Sequence, residues 1–84
     1  MKVDIHPHAI ARMNERGATR NEVEYTVGNG KRRPAKYGRT RFAHTFPYNR
    51  EWYGKRYGRK LVEAYAVDRG TDDWFVVTVI VKYF

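Results

Sequence analysis

The 84-residue chain has no cysteine and no serine. The first absence excludes disulfides, thiolate nucleophiles, cysteine-ligated zinc and iron–sulfur clusters, and fits a reducing compartment. The second removes the commonest hydroxyl nucleophile, and no glycine-rich phosphate loop ending in Lys-Ser or Lys-Thr is present. Long hydrophobic runs are also missing. The longest, Trp74 to Val81, is broken by Thr78 and falls short of the ~20 residues a membrane-crossing helix needs. The opening Met1-Lys2-Val3-Asp4 lacks the apolar segment of a secretion signal. These absences predict a cytoplasmic protein with no membrane partner, folded as a single domain over residues 1–84. Disorder is excluded by what is there: 42% of residues are hydrophobic and 15% aromatic.

Charge is the most uneven property. Between Lys31 and Lys60 stand eleven basic residues against Glu51 alone, a net +10, while the rest of the chain holds six basic and eight acidic residues, a net −2. The same segment holds seven of the thirteen aromatics: Tyr37, Phe42, Phe46, Tyr48, Trp52, Tyr53 and Tyr57. Cations interleaved with rings suit single-stranded nucleic acid, whose phosphates pair with the cations and whose bases stack on the rings. Lys31, Arg32, Arg33, Lys36, Arg39, Lys55, Arg56, Arg59, Lys60 and Trp52 are the RNA-binding candidates of this segment. Like-sign clustering costs self-repulsion that a merely soluble surface does not require.

Hydrophobic periodicity supplies the frame. Met1, Val3 and Ile5 alternate with Lys2, Asp4 and His6 as a short strand. Pro7 fits a helix start, and Gly17 a left-handed stop after a helix over 7–15. Helical spacing places Ile10 and Met13 on its buried face, with His8, Arg12 and Arg16 as a stripe beside it. Thr19-Arg20-Asn21-Glu22 matches a capping box, with Val23 and Val27 inward and Gly28-Asn29-Gly30 at the end. Both helices are too short to persist alone and must dock on a sheet. Residues 40–46, 61–67 and 74–83 read as its strands, the last two joined by a turn over 68–73. In the final strand the odd positions Phe75, Val77, Val79 and Val81 read as core, leaving Trp74, Thr78 and Lys82 on the other face. Val62, Ala64 and Ala66 read as core in the preceding strand, with Glu63 and Tyr65 opposite. Residues 48–57 read as either a strand or a basic loop. The expected fold is α+β, two short N-terminal helices on one face of an antiparallel sheet of about four strands.

The remaining chemistry belongs to His, Arg, Lys, Tyr and Thr. That set can cleave RNA, because the 2′-OH of the substrate is the nucleophile and the protein supplies a base, an acid and cations for the phosphate. His8 is the acid–base candidate, since an imidazole exchanges protons near neutral pH, and Arg12 follows one turn later. Arg41 lies opposite Phe42 and His44 on its strand and faces a ligand; Thr78 interrupts an apolar strand beside Lys82. His44 reads as a sheet-face residue. His6 and His8 are too few, without carboxylate support, for a metal site, and no cofactor is implied.

The run His8-Ala9-Ile10-Ala11-Arg12-Met13-Asn14-Glu15-Arg16-Gly17, with Thr19 to Val23 after it and Phe75-Val76-Val77-Thr78-Val79 near the end, resembles a bacterial family of unknown function. Members of that family open with His-Ala-x-x-Arg-Met-x-x-Arg-Gly, and the family is similar to RelE-like toxins and the wider barnase, EndoU, colicin and RelE ribonuclease group. Ala18 stands where an Ile is usual, and the segment 48–57 is additional. The resemblance implies a RelE-like fold, RNA cleavage without a metal, an acidic antitoxin protein as partner, and His8, Arg12, Arg16 and Thr78 at the site.

The leading expectation is a toxin-like endoribonuclease acting on RNA, including ribosome-bound mRNA. His8, Arg12, Arg41 and Thr78 form its catalytic set, and Arg16, Tyr65 and Lys82 join the RNA-binding residues. The alternatives are a binding module without catalysis, as in a phage or regulatory accessory protein, and an interaction protein whose basic face docks on an acidic partner.

Overall fold

The computed structural model describes all 84 residues. Local signals explain most elements. Strand β1 (Lys2–Ile5) leads into helix α1 (Pro7–Arg16), where Pro7 loses nothing by lacking an N–H and the His6 ring accepts from the His8 N–H at 3.0 Å. Gly17, at φ +81°, closes α1 in the left-handed region. Helix α2 (Arg20–Asn29) opens on the expected capping box: Thr19 Oγ1 accepts from the Glu22 N–H at 3.1 Å, and Glu22 Oε1 accepts from the Thr19 N–H at 2.9 Å.

Strands β2 (Lys31–Pro34), β3 (Thr40–Trp52), β4 (Lys55–Asp68) and β5 (Asp73–Tyr83) complete the chain, with a 3-10 turn at Lys36–Gly38 between β2 and β3. The fold is α+β with two helices, as expected, but the sheet is five-stranded and mixed, in the order β1-β5-β4-β3-β2. Only β1 runs parallel to its neighbour β5. Strand β2 escapes sequence reading because it is an edge strand exposed on both faces, so Lys-Arg-Arg-Pro shows no alternation. No helix is long and apolar enough to cross a membrane.

One extra residue in β5 sets the faces of the sheet. Tyr65 pairs with Thr78 but the next residue, Ala66, pairs with Val76, which leaves Val77 as a bulge. The inward phase is therefore Trp74 and Val76 before the bulge, then Val79 and Val81 after it. The alternation expected from Phe75 to Val81 fails in its first half: Trp74 is buried edge-on against Phe42, 5.0 Å between ring centres, and Phe75 turns to the other side. Val62, Ala64 and Ala66 are fully buried in β4, as expected. On α1 the buried pair is Ala9 and Met13, while Ile10 is 38% exposed. Alanine at the contact lets the helix sit close to β5, and Ile10 points about 100° away.

Of the two readings of residues 48–57, strand is the one found: 48–52 end β3 and 55–57 begin β4. They form the end of the long β3–β4 hairpin, which runs past β5 as a two-stranded arm and closes at Tyr53-Gly54, both at positive φ. Pro47 is tolerated because Arg59, opposite it, bonds Phe84 through both its N–H and its C=O, so the proline nitrogen lies on the open edge. Asn49, at φ +51°, marks a second bulge.

A junction ties the arm to the turn between the helices. Trp52 stacks on Tyr83 at 4.8 Å, and Tyr83 donates to the Arg16 carbonyl at 2.6 Å. Lys60 is buried at 3% exposure, its ammonium donating to the Gly17 carbonyl (3.0 Å) and to Glu22 (2.8 Å). A Cβ on Gly17 would lie 2.6 Å from Tyr83 Oη and 2.7 Å from the Trp52 ring. Gly17→Ala should therefore cost about 2–4 kcal/mol in urea unfolding, from left-handed strain plus overpacking. Gly54→Ala, where φ is +79° but space is open, should cost only the strain, about 1–2 kcal/mol.

Burial raises the Tyr83 hydroxyl from 10.0 to about 12, with Tyr48 and Glu22 adding repulsion. The folded chain thus holds this proton more tightly than the unfolded one, and the stability linked to it is complete below pH 10 and lost as pH rises from 10 through 12. Tyr83→Phe should lose about 0.5–1.5 kcal/mol at pH 8 with the hydrogen bond. It should then decline less steeply than the unsubstituted protein between pH 10 and 12, as read from urea midpoints.

Candidate nucleic-acid interface

The sheet face away from the helices carries Arg41 and Ala43 from β3, Leu61, Glu63 and Tyr65 from β4, and Thr78, Ile80 and Lys82 from β5. This placement follows from register: Arg41 pairs with Tyr65, Ala43 with Glu63, and Tyr65 with Thr78. Because the Val77 bulge resets the phase, Thr78 lies on this open face instead of following Trp74 and Val76 into the core.

Three adjoining depressions cross that face. The first, about 520 Å³, is lined by Lys31, Arg33, Arg41 and Thr45, with Asn29 at the end of α2. The second, about 460 Å³, lies between the Lys36–Gly38 turn and the sheet, with Lys36, Tyr37, Arg39, Arg41 and Tyr65 on its walls and Thr78 and Ile80 in its floor. The third, about 320 Å³, brings His8, Arg12 and Arg16 of α1 against Val77, Thr78 and Ile80. Arg41 is common to the first and second, and Thr78 and Ile80 to the second and third. The result is one trough running across the strands from β2 to α1.

Its electrostatics are one-sided. Lys31, Arg33 and Lys36 are exposed and Arg39 is half-buried, and the one acid on the sheet floor, Glu63, is 4% exposed and already shared. Glu63 Oε2 accepts from Arg41 Nε at 2.6 Å and also contacts Arg41 Nη2, while Oε1 lies 3.4 Å from Lys82 Nζ. The carboxylate raises the Arg41 pKa above its ordinary value, chiefly through this hydrogen bond. Arg41 is thus held through Nε and Nη2 by Glu63 while it lines two of the depressions.

The catalytic candidates come together in part. His8, Arg12 and Thr78 border one depression, and Arg41 and Thr78 both line the next. The His8 imidazole is exposed, its backbone N–H being the group that bonds His6. Arg12 also pairs with Glu15 at 3.3 Å on the surface. Arg16 is partly committed to structure, donating to the Val79 carbonyl at 2.9 Å where β5 has no strand on its outer side.

Apart from Arg16, the RNA-binding candidates divide three ways. Lys31, Arg33, Lys36, Arg39 and Tyr65 line the trough, and Lys82 flanks it through Glu63. Lys55, Arg56 and Arg59 lie on the arm with Trp52, which packs inward at the Gly17 junction. Arg32 and Lys60 belong to neither. Arg32 lies over Trp74 (4.8 Å) and Phe42 (5.5 Å) on the helix side, and Lys60 is spent on Gly17 and Glu22, so it is no surface contact. The signal for Lys60 was its phase, even-numbered with Val62, Ala64 and Ala66. His44 packs among Tyr25 and Phe46 rings on the helix side, at 4.9 and 4.7 Å. Sequence reasoning missed Tyr37 and Glu63 as site residues. No three His, Asp or Glu side chains gather as a metal-ligating group.

Comparison with protein-family models, with curated proteins and with solved structures gives no match for this chain.

The Glu63 cluster is testable without a ligand. Glu63→Leu leaves Arg41 and Lys82 facing a buried apolar side chain and should destabilise by about 1–3 kcal/mol, a figure reduced by the partial exposure of both cations. Glu63→Leu with Arg41→Met should recover part of that loss in the same urea titration, because removing both charges is less costly than removing one.

Proposed function

We propose that the protein binds single-stranded RNA along the trough and cleaves it by attack of the substrate's own 2′-OH. One observation carries this reading: a row of three linked depressions whose cations are opposed only by the shared Glu63 and, at Arg12, by Glu15. A polyanion is the ligand such a surface stabilises, and the rings of Tyr37 and Tyr65 offer faces for unpaired bases.

In this reading the scissile phosphate lies at Thr78, where the His8 and Arg41 ends of the trough meet. His8 takes the 2′-O proton or returns one to the departing 5′-O. The P–O2′ bond forms and the P–O5′ bond breaks, giving a 2′,3′-cyclic phosphate and a 5′-hydroxyl. Arg41 and Arg12 stabilise the charge that accumulates on the phosphorane oxygens, and the Thr78 hydroxyl orients the group. The two helices on a sheet are what the RelE-like resemblance of the motifs implies, while the five-stranded mixed sheet departs from its four antiparallel strands; an acidic antitoxin would be a natural competitor for the same cations.

A second reading, a module that holds RNA without cutting it, is favoured by the position of His8. It stands exposed at the rim, with no second imidazole in its depression. Product analysis separates the two. Labelled single-stranded RNA incubated with the protein in EDTA, with and without ribosomes, should yield fragments ending in 2′,3′-cyclic phosphate. His8→Ala should reduce the rate ~10²- to 10⁴-fold and leave affinity nearly unchanged. Intact RNA bound with undiminished affinity would establish the module instead.

A further inference from the structure

Two tyrosines stand apart from every other aromatic side chain. Tyr37 and Tyr53 are each 86% exposed, each at positive φ (+62° and +50°), and each followed by a glycine also at positive φ. Tyr37-Gly38-Arg39 lies at the trough, and Tyr53-Gly54-Lys55 at the tip of the arm. A bulky residue in the left-handed region costs about 1–3 kcal/mol. A two-residue hairpin turn of this kind is satisfied best by Asn-Gly or Asp-Gly. The fold recovers little of that cost, because the Tyr53 ring meets only the edge of Trp52 at 4.8 Å.

The surroundings of Tyr53 indicate a ligand. Arg50, Lys55, Arg56 and Arg59 on the arm form no ion pair, and only Glu51 opposes them. Trp52 is pinned on Tyr83 beside Gly17, which fixes the direction in which its neighbour projects. Arg50 and Lys55 lie over the Tyr48 and Tyr57 rings, and Arg56 donates to the Asn49 carbonyl, so the cations are held along the arm without an acid to neutralise them, while the Tyr53 ring stays exposed. An exposed ring beside such cations matches an unpaired nucleotide, with the base on the ring and phosphates on the flanking charges. A membrane surface would call for a wider apolar tip, and Trp52 is turned inward.

We propose that Tyr53 is a stacking site for an unpaired base of the same RNA, a second anchor outside the trough, reproducing at the arm tip what Tyr37-Gly38-Arg39 does at the trough wall. This rests on the RNA reading above and extends the ligand to a strand that engages both places.

Asparagine supplies the test, because it suits the turn and removes the ring. Tyr53→Asn should unfold at the same or higher urea concentration, yet bind a fluorescein-labelled single-stranded RNA of about 16 nucleotides roughly five- to a hundred-fold more weakly. Its slope of log affinity against log salt should be unchanged, since no charge is lost. Lys55→Gln with Arg56→Gln should flatten that slope, by about 0.7 for each phosphate contact removed, and Tyr53→Phe should bind like the unsubstituted protein. Equal affinity of Tyr53→Asn and the parent overturns the arm proposal, and does so while the trough reading stands if Lys31→Ala with Arg33→Ala still weakens binding. Absence of RNA binding by the parent protein removes both. Loss of binding by Tyr53→Asn to vesicles of equal phosphatidylcholine and phosphatidylglycerol, with RNA affinity intact, also overturns it in favour of a lipid surface.

Discussion

The extra residue at Val77 is the constraint on which the site depends. Before it, β5 sends Trp74 and Val76 into the core; after it, Val79 and Val81. A regular strand would bury Thr78 after Val76 and would turn Val79 outward. The bulge keeps two apolar pairs inside and leaves Thr78 and Ile80 as the floor shared by two depressions. Because β1 ends its pairing at Val76, the free edge of β5 beyond the bulge is where α1 brings His8, Arg12 and Arg16. One backbone irregularity therefore joins the charge of the sheet to the charge of the helix.

Two further arrangements turn a basic sequence into a defined surface. Glu63 converts Arg41 from a flexible cation into one fixed by its Nε edge. Lys60 is withdrawn from the surface altogether and holds the turn between the helices against β4. The +10 of the middle segment is thus not a uniform grip. It separates into trough, arm and structure, and only the first two remain to meet a polyanion.

Much of this was legible in the sequence, and the failures have specific causes. The capping box, the Gly17 stop and the inward Val62, Ala64 and Ala66 follow from local signals that the tertiary structure did not override. Thr78 and Arg41 were placed on the open face by alternation. The same alternation misplaced Trp74, Phe75 and Val77, because period-two reasoning has no means of sensing a single inserted residue. Ile10 was assigned inward because helical spacing sets it beside Met13, where close approach selected Ala9. Strand β2 was invisible because nothing covers either of its faces. Tyr37 and Tyr53 were counted as aromatics, but their exposure and positive φ exist only in the folded chain.

The central claim is that RNA occupies the open sheet face. Amide chemical-shift mapping of the isotopically labelled protein with a single-stranded RNA tests it most directly. Perturbations should concentrate at Arg33, Arg41, Tyr65, Thr78 and the α1 residues near His8, and spare Tyr25 and Phe46 on the helix side. Shifts centred on that helix side, with Arg41 and Thr78 unmoved, would contradict the account.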